Sequence, residues 1–81
     1  MTLLYFAWVR QKIGKSEETL APPARNVAEL VAYLQNLGPN YADAFADLSR
    51  IRIAVNQRHT GLDAKLGPDD EVAFFPPVTG G

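Results

Sequence analysis

Cysteine is absent from the 81-residue sequence, and histidine occurs once, at His59. Without cysteine the chain has no disulfide framework and no thiolate for metal binding or nucleophilic attack. A single histidine cannot supply the several nitrogen or sulfur ligands of a transition-metal site, so we expect no bound metal or cofactor. Any sulfur chemistry in which this protein takes part must use sulfur that comes from outside the chain.

An excess of charge of one sign and a long apolar run are also missing. Eight Lys and Arg residues against nine Asp and Glu residues give a net charge of -1, and they form no basic cluster of the kind that binds nucleic acid. The apolar residues 1–9 lack a basic leader and a small-residue cleavage site, and they are too few to span a bilayer. We therefore expect a cytoplasmic protein that binds neither nucleic acid nor membranes.

The size of the chain allows one small core. At 8.9 kDa, folding is expected to bury roughly 63% of the surface of the unfolded chain. An apolar content of 47% with 21% charged residues is typical of a compact globular domain. We predict a single domain over residues 1–75, followed by an extended tail over residues 76–81.

Four segments rich in branched, aromatic or alternating residues predict strands: residues 3–9, 17–20, 51–55 and 71–75. The polar residues 10–16 are predicted as a hairpin loop, Asn56-Gln57 as a turn after the strand 51–55, and residues 58–68 as an irregular connection. In the first strand, Leu4, Phe6 and Trp8 would alternate with four further apolar residues. Both faces of that strand are therefore apolar, which indicates either cover on both sides or an outer face kept for a partner.

The strongest helix signal follows Asn26. Asn26 is a favourable N-cap, and Glu29 three residues later completes a capping box. The apolar residues that follow have helical spacing, at positions 27, 30, 31, 34 and 37. Gly38 and Pro39 predict the end of this helix, and residues 41–48 predict a second, shorter amphipathic segment.

The order strand, strand, helix, strand, strand predicts an α+β fold. The main helix is best buried by crossing one face of a mixed sheet through a right-handed connection. With the first and last strands side by side at the centre, this is a β-grasp, or ubiquitin-like, architecture. The last strand then leads out of the domain into a flexible C-terminal Gly-Gly tail.

The end of the sequence is its most informative feature. Gly80 and Gly81 follow a strand and the Pro76-Pro77 pair, and two closing glycines arise by chance in only about 0.5% of chains. Glycine lets a backbone pass through a narrow channel, and proline favours an extended path that loses little entropy on insertion. Residues 76–81 could reach roughly 20 Å beyond the fold at about 3.3 Å per residue. The segment predicted to insert into a partner consists of Pro76, Pro77, Val78, Thr79 and Gly80.

The side chains offer no convincing combination of nucleophile, general base and orienting group. Because the side chains indicate no active site, we expect the chemistry to take place at the end of the chain. The reactive centre is therefore expected to be the terminal carboxylate of Gly81, which a partner could activate with ATP for attack by sulfide or an amine.

Three segments resemble the small subunit of molybdopterin synthase, the sulfur-carrier family of molybdenum cofactor biosynthesis. They are residues 6–10 (FAWVR), 54–57 (AVNQ) and, above all, 70–81 (DEVAFFPPVTGG). The resemblance implies that a ubiquitin-activating-like adenylyltransferase uses ATP and magnesium to adenylate Gly81, and that a sulfur donor protein then converts it to a thiocarboxylate. It also implies docking on the large synthase subunit in a heterotetramer, where the sulfur passes to a pterin precursor, cyclic pyranopterin monophosphate. On this basis the chain is the sulfur-donating subunit of a sulfurtransferase complex and not an enzyme on its own.

The apolar outer face predicts where partners dock. We expect the interface to include Phe6 and Phe75, with Trp8, Arg10 and His59 beside them. Leu4 lies near this surface, and an alternative is that Trp8 or Leu4 is covered by loops of the same molecule. 

Two other functions stay open at this point. One is a related β-grasp protein, either a sulfur carrier of thiamine thiazole synthesis or a ubiquitin-like protein modifier; residues 74–79 (FFPPVT) favour the molybdopterin branch. The other is a non-catalytic β-grasp interaction module whose glycine ending is accidental.

Overall fold

The computed structural model describes residues 1–77. The strands of this part of the chain are β1 Thr2–Tyr5, β2 Glu17–Thr19, β3 Arg52–Val55, β4 Arg58–Thr60 and β5 Glu71–Phe75. The helices are α1 Ala7–Ile13, α2 Val27–Gln35 and α3 Pro39–Ala44, and a 3₁₀ turn covers Leu48–Arg50. Residues 78–81, which include most of the predicted tail, lie outside the described residues.

The strands form one mixed sheet in the order β2-β1-β5-β3-β4. The central pair, β1 and β5, is parallel, with Leu4 opposite Ala73, and the other neighbouring strands are antiparallel. The parallel pairing of the first and last strands confirms the predicted β-grasp fold. It also places the end of β5, and therefore the start of the predicted tail, at the centre of one end of the sheet.

The core lies between the inner face of the sheet and the helices. Strands β1, β3 and β5 contribute Leu3, Tyr5, Ile53, Val72 and Phe74, and these pack with the buried side chains of α2 in one cluster. The Phe74 ring lies 5.9 Å from the ring of Tyr5 and 5.0 Å from the ring of Phe45. Each fully buried large apolar side chain stabilises the fold by about 1.5–3 kcal/mol, so this cluster fixes the position of β5.

Helix α2 begins as predicted and ends earlier. The Asn26 side chain accepts a hydrogen bond from the Glu29 N–H at 2.8 Å, and the Glu29 side chain accepts one from the Arg25 N–H at 2.8 Å. The helix ends at Gln35, and the Gly38-Pro39 pair instead begins α3, with Pro39 in its first turn. Proline is favoured there because the N–H that it lacks would have no helical partner.

The predicted first strand is wrong beyond Tyr5. Residues 7–13 form α1, so the segment predicted as the hairpin loop 10–16 is mostly helical. The helix buries Val9 and Ile13, which are four residues apart and therefore share one helical face. It ends at Gly14, whose φ of 94° suits glycine and whose N–H donates to the Arg10 carbonyl. A glycine at position 14 is a typical end of a helix, but the apolar residues 3–9 favour a strand when the sequence is considered alone.

The predicted irregular connection 58–68 contains a strand, β4, that the sequence did not indicate. β3 and β4 form a hairpin through Asn56 and Gln57, whose φ angles are 52° and 70°. Two successive positive φ values are typical of a type I′ turn, for which Asn-Gly is the usual pair. The Asn56 side chain also accepts from the Glu71 N–H at 3.0 Å and donates to Asp70 at 3.0 Å, which ties the turn to the start of β5.

Replacing Gln57 with glycine should stabilise the protein by about 0.5–1 kcal/mol. The left-handed conformation costs a residue with a Cβ atom about 1–2 kcal/mol, and the greater freedom of glycine in the unfolded chain offsets part of this gain. Chemical denaturation of the wild type, Gln57→Gly and Gln57→Ala would measure the effect. The alanine variant keeps the Cβ atom and should show no gain, so an equal gain in both variants would contradict the explanation.

Candidate functional site

The candidate site lies where β5 ends. Phe75 is the last residue of β5, and Pro76 and Pro77 follow it outside any helix or strand. Because β1 runs parallel to β5, Phe6 comes directly after the end of β1 beside Phe75, and the Phe6 N–H donates to the Phe74 carbonyl at 3.1 Å. On the other side of β5, Arg52 of β3 is the register partner of Phe75. These residues surround the point at which the chain leaves β5 at Pro76.

The outer face of the sheet, away from the core, is largely apolar near this point. Leu4, Ala73, Ala54 and His59 are neighbours across four strands, and they alternate with side chains that point into the core. Ala54 is only 7% exposed although it is not part of the core cluster. The His59 ring lies 5.3 Å from the Phe75 ring, and this contact spans the Ala54 strand and covers it. The structure therefore has the outer apolar face that the sequence left open as one of two possibilities.

Phe6 is the most exposed aromatic side chain at the site. Its side chain is 47% exposed, because the chain turns at once from β1 into α1 through Ala7, whose φ is 54°. A positive φ at alanine costs roughly 1–2 kcal/mol and persists only where the surrounding structure enforces it. An exposed aromatic side chain on a rigid support is suited to fill a pocket of a partner.

Trp8 and Arg10 lie on α1, so the predicted placement of Trp8 in the first strand and of Arg10 in the hairpin loop is wrong. Trp8 is half-buried and packs against the core, and the Arg50 guanidinium stands 5.0 Å from the centre of its ring. Arg10 is exposed. The α1 helix follows β1 directly, so both residues stay at the same end of the sheet as Phe75. Whether they contact a partner stays a prediction.

The predicted tail is only partly within the described residues. Pro76 and Pro77 are half-buried at the end of β5. Val78, Thr79, Gly80 and Gly81 lie outside the described range, so their predicted roles in insertion and in the acyl chemistry stay predictions.

Two features of residues 1–77 bear on other classes of function. No group of three or more His, Cys, Asp or Glu side chains in this range could hold a metal ion. No helix in the same range has the length and apolar character needed to cross a membrane.

A hydrogen-bonded cluster around Glu18 was not predicted from the sequence. One Glu18 carboxylate oxygen accepts from the hydroxyl of Tyr5 at 2.8 Å and from the hydroxyl of Tyr41 at 2.7 Å. The other oxygen accepts from the Lys15 ammonium at 3.1 Å. The cluster joins β1, β2 and α3 at an edge of the sheet.

The cluster changes the protonation of its members in opposite directions. Burial raises the pKa of Glu18, but the hydrogen bonds from Tyr41, Tyr5 and Lys15 outweigh it, so its pKa is lowered overall. Burial, together with the hydrogen bond to the Glu18 carboxylate, raises the pKa of both Tyr5 and Tyr41. The cluster therefore holds an ionised carboxylate between two neutral tyrosines, and it lies outside the candidate site.

A groove of about 410 Å³ lies at the other end of the sheet. Its lining includes Met1, which precedes β1, and Pro68, which shortly precedes β5. Since β1 and β5 are parallel, this end of the sheet is remote from Phe75. The groove is therefore separate from the site where β5 ends.

Comparison with known sequences shows that this chain is similar to sulfur carrier subunits. The sequence model of the ThiS family matches residues 3–81. The molybdopterin synthase sulfur carrier subunit of Escherichia coli (strain K12) is 38% identical over 79 residues, which cover 98% of this chain and 96% of that protein. The subunit of the same name from Mycobacterium tuberculosis is 37% identical and covers 100% of this chain and 96% of its own length. These matches confirm the resemblance predicted from residues 6–10, 54–57 and 70–81.

Comparison with solved structures agrees on the fold. SAMP1 from Haloferax volcanii superposes with a TM-score of 0.74 at 25% identity, covering 100% of this chain and 98% of that one. A complex of subunits 1 and 2 of molybdopterin-converting factor from Helicobacter pylori contains a chain that matches with a TM-score of 0.67 at 23% identity, covering 99% of this chain and 96% of that one. At that identity the second likeness shows the fold alone.

Proposed function

This chain belongs to the ThiS family, and from that premise we propose that it carries sulfur for molybdopterin synthesis. The observation that carries the proposal is the similarity to molybdopterin synthase sulfur carrier subunits over the whole chain, up to Gly81. The geometry supports it, because β5 ends at Phe75 at the centre of the sheet and the exposed Phe6 stands beside it. A carrier needs such a body, which a partner recognises while a narrow segment reaches the active site.

The proposed chemistry takes place at the Gly81 carboxylate. A carboxylate oxygen attacks the α-phosphorus of ATP, and pyrophosphate leaves. Sulfide released by a donor protein then attacks the acyl carbon of the adenylate, and AMP leaves with the electron pair of the C–O bond. The product is a thiocarboxylate, whose sulfur is a good nucleophile toward the pterin precursor, cyclic pyranopterin monophosphate. ATP and magnesium belong to the ubiquitin-activating-like adenylyltransferase in this scheme, and this chain binds no cofactor of its own.

The folded domain provides recognition in this proposal. Phe6, Phe75 and the apolar outer face dock on the large synthase subunit, and residues 76–81 enter its active site. The large subunit supplies the catalytic side chains, so this chain is a substrate-carrying subunit of a heterotetramer and not an enzyme on its own. The cytoplasmic setting expected from the sequence is part of the same proposal.

Intact-mass measurement tests the carrier function directly. The protein is incubated with its adenylyltransferase, ATP, magnesium and sulfide, and we expect a mass gain equal to the difference between sulfur and oxygen. The Escherichia coli sulfur carrier subunit, treated with its own enzyme in parallel, verifies that the assay reports thiocarboxylate formation.

The interaction module and the protein modifier give different results in this assay, whereas a sulfur carrier of thiamine thiazole synthesis would gain the same mass and would differ in not binding the large synthase subunit. An interaction module would show no mass change with an adenylyltransferase whose competence is proven by ATP–pyrophosphate exchange. A ubiquitin-like modifier would form covalent conjugates through lysine side chains of other proteins when cell extract replaces sulfide. Either result, without thiocarboxylate formation, would contradict the proposal.

A further inference from the structure

We propose that Arg50 and Arg52, together with Arg10, form a basic rim beside the docking surface that selects a partner surface rich in carboxylates. The arginine rim is defined by these three residues, and the docking surface by Phe6, Phe75 and the apolar outer face. The inference rests on the proposed function. It specifies the chemistry of the large-subunit surface that receives this carrier, namely apolar at its centre and acidic where it meets the rim.

Arg52 lies at the edge of the docking surface, next to Phe75. It is the register partner of Phe75 on the outer face of the sheet, and it is exposed. Its guanidinium donates to two neutral backbone carbonyls, those of Ser49 at 3.4 Å and Ile51 at 3.3 Å. These bonds hold the group near its own backbone without neutralising its charge, so the charge remains for a partner.

Arg50 adds a second charge at the same end of the sheet. Its guanidinium stands 5.0 Å from the centre of the Trp8 ring, an attraction that orients the cation and leaves it accessible. Trp8 lies on α1, which follows β1, and Arg50 lies in the turn that precedes β3. Because β1 and β3 both flank β5, the contact is located where β5 ends.

The nearby carboxylates offset only part of this charge. Asp47 accepts hydrogen bonds from the Ser49 N–H at 3.1 Å and from the Ser49 hydroxyl at 2.6 Å. These bonds, with a smaller effect of Arg50, keep the pKa of Asp47 low. Asp43 is paired with the Lys12 ammonium at 2.7 Å. Asp43 is therefore neutralised by Lys12, whereas Asp47 accepts from neutral groups, stays ionised and offsets only one of the three arginine charges of the rim.

The arginines of the rim differ from Lys12, Lys15 and Arg25 in their ion pairing. The salt bridges of residues 1–77 join Lys12 to Asp43, Lys15 to Glu18 and Arg25 to Glu29. No arginine of the rim is in a salt bridge within this part of the chain. The whole chain carries a net charge of -1, so the rim is a local positive region on a slightly acidic protein. Protein interfaces commonly combine an apolar centre with a charged rim, and arginine is enriched in them.

Charge reversal tests the rim. We expect the double variant R50E/R52E to associate with the large synthase subunit about 10-fold more slowly than the wild type near 0.1 M salt. The deficit should shrink to about 2-fold near 1 M salt, because the Debye length falls from about 10 Å to about 3 Å. Stopped-flow or surface-plasmon measurements over this range of salt give both the rate constants and their salt dependence.

The matched control is R25E/R58E, which makes the same change in net charge elsewhere. Arg25 precedes α2, and Arg58 begins β4 next to the turn at the far end of the sheet; both are exposed. The association rate of this variant should stay within about 2-fold of the wild type, since screening limits the effect of distant charges. Should R50E/R52E fold poorly, R50Q/R52Q removes the same two charges without adding acids, and a loss of about 3-fold is expected.

The outcomes separate this inference from the proposed function. If the wild type neither binds the large subunit nor forms a thiocarboxylate, the proposed function and the rim fail together. If the wild type does both and R50E/R52E behaves like R25E/R58E, the rim alone is overturned. A loss that does not depend on salt would also overturn it, because it would indicate altered packing. Recovery of the rate on replacing large-subunit carboxylates with lysine would establish the pairing.

Discussion

Deleting Gly81 should abolish thiocarboxylate formation and leave the Tm unchanged within error. The adenylyltransferase must bring the terminal carboxylate to the α-phosphate of ATP, and loss of one residue leaves the new end about 3.3–3.6 Å short. A misplacement of even 1 Å at a reacting centre can cost about 100-fold in rate. The stability should not change, because β5 ends at Phe75 and the core side chains of residues 1–77 come from positions 3–74.

Two measurements on three proteins test this prediction. Intact mass after incubation with adenylyltransferase, ATP and sulfide reports loading, and thermal melting by circular dichroism reports stability. Gly81→Ala is the matched control, because it keeps the length and the carboxylate but adds a Cβ atom in a narrow channel. We expect it to load slowly and the deletion variant not to load. Normal loading of the deletion variant would contradict a requirement for Gly81 itself, because the carboxylate of Gly80 would then serve as well, and a lower Tm would show that the chain end contributes to packing.

The parts of the fold that could be predicted from the sequence depend on local signals. Asn26 and Glu29 form the cap that their spacing predicts, and β5 occupies residues 71–75 as predicted. The pairing of β1 with β5 followed from the order of the elements. Since that pairing brings the residue after β1 next to the end of β5, the adjacency of Phe6 and Phe75 could also be predicted.

The errors occurred where a local pattern fits two structures. Residues 6–9 are apolar at successive positions, so they satisfy a strand covered on both sides as well as a short helix. The α1 helix has no side-chain cap, and burial of Val9 and Ile13 decides in its favour. The turn at Asn56-Gln57 follows from the sequence, but the strand after it, β4, was missed because both residues adopt positive φ without the glycine that usually indicates a two-residue hairpin.

The arginine rim and the Glu18 cluster could not be predicted because both depend on register. Arg52 reaches Phe75 only through the pairing of β3 with β5, and Arg50 reaches Trp8 only because residue 8 lies on a helix. In the same way, Glu18 and Tyr41 are 23 residues apart in sequence and meet only when α3 packs beside β2. Each of these contacts joins residues that are distant in the sequence, so local sequence patterns do not predict them.

Replacing Glu18 with alanine should destabilise the protein by about 2–3 kcal/mol, or about 10–20 °C in Tm for a domain of this size. The reason is that Tyr5 is 1% exposed and Tyr41 is 7% exposed, and both hydroxyls donate to one Glu18 oxygen. A hydrogen bond to a charged group contributes about 1.5–3 kcal/mol, and a buried hydroxyl without a partner costs about 1–3 kcal/mol. Tyr41→Phe, which removes one donor and leaves the other bond in place, should cost about 1 kcal/mol.

Glu17 provides the matched control, since it is the neighbouring residue of the same strand and has the same side chain. Glu17 is exposed on the opposite face of β2, across from Leu4, and Glu17→Ala should change the free energy of unfolding by less than about 0.5 kcal/mol. Equal effects of the two substitutions would contradict a stabilising role for the cluster. A cost of Tyr41→Phe as large as that of Glu18→Ala would instead assign the stability to packing around the Tyr41 ring.

The pH dependence of stability gives an independent test of the ionised state of Glu18. The pKa of Glu18 in the folded protein is lower than its ordinary value of 4.5, so the unfolded chain binds a proton more readily than the native state. The contribution of the carboxylate is therefore complete above pH 4.5 and is lost as the pH falls through the lowered pKa. Glu18→Gln cannot titrate, so the difference in unfolding free energy between wild type and this variant should shrink as the pH is lowered below 4.5. A difference that stays constant down to about pH 3 would mean that the two tyrosine hydroxyls hold Glu18 equally well in its neutral form.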